Sequence, residues 1–242
     1  MRAARLVTTT LVLTAHGSAD PRSSANTAAI AGHLRRVAPE LDVRVAFCEH
    51  NTPNLRDVLP GSSGDVVVAP LLLASAYHAR IDIPGLIAQT GARVRQADVL
   101  GEDERLLQVM RQRLTEAGAS RFDAGLGVLV VAVGSSNPAA NARTARLAGA
   151  LARGTRWAGV EVGFATGPAA CLPQAAARLR DQGATHLAIA PWFLAHGRIT
   201  DRVAHYAATT GIMMAEPLGP HRLVAATVLD RVEDTLAARI AA

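Results

Sequence analysis

The chain has 242 residues, half of them apolar and only 3% aromatic, with a formal net charge of +5. That is enough for one large core or two small ones. All the basic charge is arginine. The lack of lysine excludes Schiff-base chemistry and the P-loop, few aromatics and no basic run argue against nucleic acid, and no apolar run approaches the ~20 residues of a membrane span.

In chain order, short apolar runs alternate with amphipathic stretches, the pattern of parallel sheets covered by helices. Strands are expected at about Leu6–Thr14, Val43–Cys48, Val66–Leu72 and Val94–Leu100, with helices at about Arg22–Val37, Pro53–Leu59, Ile83–Thr90 and Glu104–Ala117. Asp20-Pro21 is a helix start: aspartate caps open N–H groups and proline at the first turn loses nothing. Ile30, Leu34 and Val37 share one face of that helix, its expected core side. The leading MRAARLVTTTLVLTA reads as an internal strand rather than a signal peptide, because its counterpart further along, GVLVVAV, sits mid-chain. Later strands are expected at about Gly127–Val133, Val160–Ala165, His186–Trp192 and Ile212–Glu216.

The later strands repeat the earlier ones. Gly17-Ser18 recurs as Gly134-Ser135 and Asp20-Pro21 as Asn137-Pro138, both at an offset of 117, while Leu100-Gly101 recurs as Leu218-Gly219 at 118. Such constancy marks a duplication. It predicts two tandem α/β domains, residues 1–120 and 121–242, each a parallel sheet flanked by helices, with a boundary near Gly118–Asp123. The copies differ in their polar groups. His16 has become Val133, Glu49 has become Thr166, and His78 has no histidine at the equivalent spot.

Each of these groups falls at the carboxyl end of a predicted strand, the edge of an open parallel sheet where ligands bind. Two imidazoles and a carboxylate suit a divalent ion such as Fe²⁺, Co²⁺ or Ni²⁺, and the same groups accept protons. His16, Glu49 and His78 are therefore the expected metal-binding and catalytic residues. Strand alternation points His50 elsewhere. His196 falls close to the position equivalent to His78. Cys48 is expected in a buried strand and Cys171 in a helix, and two cysteines in such unlike contexts point to a reducing cytoplasm.

His16-Gly17-Ser18 after the first strand, Phe47-Cys48-Glu49 closing the second, and His78 four residues before Asp82-Ile83-Pro84 resemble the sirohydrochlorin chelatases, class II chelatases of sirohaem and cobalamin synthesis. The resemblance covers nearly the whole chain, since longer members of that family are also duplicated with the site in the first half. It implies a lyase that inserts Fe²⁺ or Co²⁺ into sirohydrochlorin without ATP, with no cofactor beyond the metal substrate. A glycine expected beside the histidine is missing from the loop Ala74–Tyr77. The alternative is a carrier of metal or tetrapyrrole that releases its cargo unchanged. For a substrate with eight carboxylates, Arg22, Arg80 and Arg198 are the expected binding arginines, helped by the amide groups around Ser18. One-copy relatives would have to pair to form a cleft, so this duplicated chain is expected to be a monomer, away from membranes.

Overall fold

The computed structural model describes residues 9–62, 64–74, 78–167 and 172–238, with His78 described in its backbone only. The first sheet comprises β1 (Thr10–Ala15), β2 (Asp42–Phe47), β3 (Val66–Pro70) and β4 (Arg95–Gln96), all parallel in the order β2-β1-β3-β4. The second comprises β5 (Leu126–Ala132), β6 (Gly159–Phe164), β7 (His186–Pro191) and β8 (Met213–Met214), in the corresponding order β6-β5-β7-β8. The expected α/β class and the repeat are both present. Leu11, Val12 and Leu13 are fully buried, because helices cover the sheet and leave no alternating wet face.

The helices are α1 (Pro21–Val37), α2 (Leu55–Val58), α3 (Ile83–Thr90), α4 (Glu104–Glu116), α5 (Pro138–Ala145), α6 (Leu147–Ala152), α7 (Leu172–Asp181), α8 (Arg198–Thr210) and α9 (Arg222–Ala237). Asp20 caps α1 by accepting from the Arg22 amide at 3.0 Å, and Asn137 caps α5 by accepting from the Ala139 amide at 3.0 Å. The start read at Asp20-Pro21 is therefore built as expected, and its repeat Asn137-Pro138 opens a helix in the same way.

Four expectations change. Val37 is 60% exposed, whereas Ile30 and Leu34 are fully buried. The core stripe ends one turn early because Val37 is the last helical residue, where the chain turns away towards β2. The strands expected at Val94–Leu100 and Ile212–Glu216 each shrink to two residues at a sheet edge; beyond the first, Ala97 and Leu100 still donate to the carbonyls of Val68 and Leu72, at 2.8 and 2.9 Å, without a regular ladder. Likewise α2 begins at Leu55 rather than Pro53, because Asn54 is the capping residue and its side chain accepts from the Arg56 amide at 3.0 Å.

The compact units do not coincide with the sequence repeats. One unit contains residues 1–101 and 224–242, the other residues 102–223. Helix α4, from the first repeat, packs on β7 and α6, burying Leu106, Leu107, Val109, Met110 and Leu114. Helix α9, from the second repeat, belongs to the unit of β1. There Arg231 donates to the carbonyls of Val99 and Leu100 at 3.2 and 2.9 Å, and Arg95 donates to that of Thr235 at 2.9 Å. The last helix of each repeat thus completes the core of the other.

Candidate metal and active site

The chain crosses from β2 to β3 on opposite sides of β1, so the carboxyl end of β1 is the switch point where open α/β sheets place ligands. His16 is the first residue past β1. Parallel pairing continues one step beyond the strands: Cys48 donates to the Ala15 carbonyl and Glu49 to the His16 carbonyl, each at 3.0 Å. That extension sets His16 beside Glu49. Their side chains meet, with Nε2 of His16 2.8 Å from Oε1 of Glu49, and the two are 33% and 52% exposed.

Gly17 then turns sharply at φ +99°, and a Cβ there would collide with the Glu49 carbonyl, so only glycine permits the two loops to lie together. The turn is locked from the other side, where the Ser18 amide donates to Oδ1 of Asn51 at 2.7 Å.

The structure adds His50. Its Nε2 lies 3.5 Å from the same Glu49 oxygen, and its ring stands perpendicular to that of His16 with centroids 6.2 Å apart. Donor atoms of His16, Glu49 and His50 all fall within 4.8 Å of one another, as a shared cation requires; no other trio of such residues does so among the described residues. Strand alternation misplaced His50 because β2 has already ended at Phe47. His50 adopts φ +63°, a left-handed conformation costly for a residue with a Cβ, and this turns its side chain back towards Glu49. The following Asn51-Thr52-Pro53, residues typical of turns, was the signal that alternation had stopped.

His78 opens a π-helical turn, His78–Asp82, that leads into α3. Such turns are rare and gather at functional sites. Gln96 anchors this one by donating to the Ala79 carbonyl at 2.8 Å. The His78 side chain and the loop residues 75–77 lie outside the described residues, as does Cys171. A cavity of about 330 Å³ opens between these elements, lined by His16, Cys48, Glu49, Ile81, Asp82, Gly85, Leu86 and Gln89. Burial, reinforced by the negative charges of Asp82 and Glu49, pushes the Cys48 thiol up to about 11, so it lines the cavity as a neutral thiol.

The expected carboxylate-binding groups fare differently. Arg22 sits in the first turn of α1, not in a loop, and its guanidinium grips Asp20 with two contacts of 3.0 and 2.6 Å. The Ser18 amide is already given to Asn51, and the Ser18 hydroxyl accepts from the Asp20 amide at 3.1 Å. Arg80 is exposed within the π-helical turn. Arg198 is the first residue of α8, in the other unit. His196 pairs with Glu216 in that same unit, at 2.7 Å.

Residues 10–117 and 127–235 each match the CbiX family. The chain belongs to that family. Each match covers one copy of the repeat, so the chain holds the family unit twice. Among curated relatives, a sirohydrochlorin cobaltochelatase of Priestia megaterium is 27% identical over 200 residues, spanning 78% of this chain and 65% of the relative. A sirohydrochlorin ferrochelatase of the same organism is 31% identical over 118 residues, 44% of each chain. The chain therefore spans less than two thirds of either relative. The solved structure of SirB from Bacillus subtilis with Fe³⁺ aligns with a TM-score of 0.79 at 21% identity, covering 94% of this chain and 95% of that one, which shows a common fold.

Proposed function

We propose that this CbiX-family protein is a sirohydrochlorin chelatase, a lyase that inserts Fe²⁺ or Co²⁺ into sirohydrochlorin without ATP. The observation that carries the reading is the meeting of His16, Glu49 and His50 at the carboxyl rim of the first sheet. The names of the curated relatives support the reaction and both metals. His78 is the fourth member by its place at the head of the π-helical turn beside the same cavity.

The chemistry asks for little more. One divalent ion enters the macrocycle, two pyrrole N–H protons leave, and the ion exchanges water for four ring nitrogens. Neutral imidazole binds borderline metals and accepts protons, and a carboxylate orients it or takes a proton in turn. The 2.8 Å contact between His16 and Glu49 suits both tasks: the carboxylate orients the imidazole, and it is placed to take the proton that Nε2 of His16 must give up for a cation to bind there. Arg80 and Arg198 are proposed to hold substrate carboxylates. Arg22 is the weaker candidate, since Asp20 already occupies its fork. No ATP step is included, and the chain has no lysine with which to build a P-loop.

Apo-protein mixed with sirohydrochlorin and Fe²⁺ or Co²⁺, followed by absorbance, tests the reading. Product beyond one equivalent per chain supports a chelatase. Product that stops at one equivalent favours the alternative, a carrier that delivers metal or tetrapyrrole, and no spectral change removes both. Competition between the two ions at equal concentration shows which is preferred.

A further inference from the structure

A second cavity lies wholly within the unit of residues 102–223, at the edge of the second sheet where strands begin. It occupies about 700 Å³ and is lined by Arg111, Arg121, Arg153, Phe122 and Trp157 among others. Its walls are the segment between α4 and β5 and the segment between α6 and β6. Two hydrogen bonds pin these segments together: the Arg156 amide donates to the Arg121 carbonyl at 2.8 Å, and Nε1 of Trp157 donates to the Ser120 carbonyl at 2.9 Å. The indole is thus held by its polar edge, and the site is built rather than loose.

The charge of the cavity is one-sided. Arg111 and Arg153 share a single carboxylate, that of Glu104, at 2.8 and 3.4 Å. Arg121 has no carboxylate partner among the described residues. Its guanidinium carbon instead lies 4.5 Å from the centre of the Phe122 ring. Phe122 itself is 59% exposed, unusual for a residue of its size in a chain with so few aromatics. Three guanidinium groups facing one carboxylate leave a surplus of two positive charges, and guanidinium forks suit phosphate and carboxylate equally. Two aromatic rings beside them offer a flat apolar surface. The volume lies within the range of small-molecule sites, roughly 300–1,000 Å³.

We infer that this cavity is a second ligand site, for a small planar aromatic molecule carrying two or more phosphate or carboxylate charges at one end. The ring stacks on Phe122 and Trp157, and the anionic end displaces Glu104 from Arg111 and Arg153 while engaging Arg121. The site shares no residue with the His16 rim and does not rest on the chelatase reading.

Trp157 supplies the measurement, because the second tryptophan, Trp192, is buried elsewhere. Adenosine diphosphate and naphthalene-2,3-dicarboxylate, each with its charges at one end, are titrated against the full chain while tryptophan emission is followed. At least one is expected to give saturable quenching with half-saturation at or below about 1 mM. The tighter of the two tells phosphate from carboxylate. Adenosine without phosphates and pyrophosphate without a ring should each bind at least about 10-fold more weakly, since either half of the site is lost. Arg121→Ala and Arg153→Ala should raise the half-saturation about 10-fold each and leave the circular dichroism and ligand-free metal insertion unchanged. In Trp157→Phe the emission change should vanish while equilibrium dialysis still detects weakened binding. Absence of saturation with both probes overturns the inference, as does equal affinity in the Arg121→Ala/Arg153→Ala double variant.

Discussion

Gly17 and Gly134 make the same turn, at φ +99° and +94°, and in each a Cβ would run into a carbonyl of the neighbouring loop, Glu49 in one and Thr166 in the other. The match continues outwards. Ser18 and Ser135 both accept from the amide two residues on, at 3.1 Å. The Glu49 amide donates to the His16 carbonyl at 3.0 Å, and the Thr166 amide donates to the Val133 carbonyl at 2.8 Å. The two rims share a backbone almost bond for bond and differ in what projects from it. At the second rim Val133 is an exposed apolar side chain, and the Thr166 hydroxyl folds back onto the Val133 carbonyl. The comparison teaches that the turn is required by the fold, because it persists where the histidine and the carboxylate are absent. The imidazoles and the carboxylate are dispensable to the fold, because the second copy folds without them.

The sharpest way to break the comparison is to make the first rim resemble the second. His16→Ala should leave a folded protein whose metal insertion falls about 10²-fold or more, the effect of losing a ligand or proton acceptor, and His78→Ala should behave alike. Glu49→Gln is expected to be milder. Initial rates beside a thermal melt test this: variants that melt normally and insert metal at near-normal rates would remove the site assignment. The converse change, Val133→His in a His16→Ala background, should restore nothing, since Thr166 provides no carboxylate beside it.

Glycine separates the two roles. Gly17→Ala and Gly134→Ala should both lower stability by about 1–3 kcal/mol, from a left-handed conformation forced on a residue with a Cβ. Only Gly17→Ala should also weaken metal binding, because the carbonyl it displaces belongs to Glu49. Denaturant melts and metal titrations of the pair distinguish a fold requirement from a site requirement. Equal metal affinity in both variants would mean that Glu49 position is unimportant.

His50→Ala is expected to have a smaller effect, roughly 10-fold in metal affinity, as for a partner at the margin of a site. Its rim counterpart is Gly167, also at positive φ, +76°. His50→Gly should therefore relieve backbone strain and gain stability while still losing metal. A His50→Gly variant that binds metal like the parent would confine His50 to a structural role.

Much of this was legible in the sequence, for physical reasons. The duplication, the caps at Asp20 and Asn137, and the convergence of His16 with Glu49 all follow from local signals plus one rule about parallel sheets. The turn of His50 towards Glu49 was hidden because period-2 reasoning holds only inside a strand, and a single residue at positive φ undoes it. The exchange of α4 and α9 was equally hidden. Both helices are amphipathic, and amphipathicity says that a face will be buried without saying on which sheet. A repeat boundary placed in the polar stretch Gly118–Asp123 divides the sequence where it repeats, whereas the cores divide at Gly101 and Leu223.

The smallest difference between the rims is Cys48 against Ala165, and it yields the finest test. Cys48 is buried beside Asp82 and Glu49, which raises its thiol from an ordinary value of 9.0 to about 11. A raised value means that the folded chain holds its proton more tightly than the unfolded chain. The associated stability is fully present below about pH 9 and is lost as pH rises from about 9 towards 11. In Cys48→Ala this alkaline loss should be absent, while metal insertion at neutral pH stays near that of the parent, because a neutral thiol is a poor ligand for a divalent ion. Alkylation offers an independent check. At pH 8 Cys48 should react about 100-fold more slowly than a free thiol, as expected for a shift from 9.0 to about 11. Rapid alkylation at pH 8, blocked by added Co²⁺, would instead make Cys48 a thiolate ligand and give the first rim a fourth group that the second has lost.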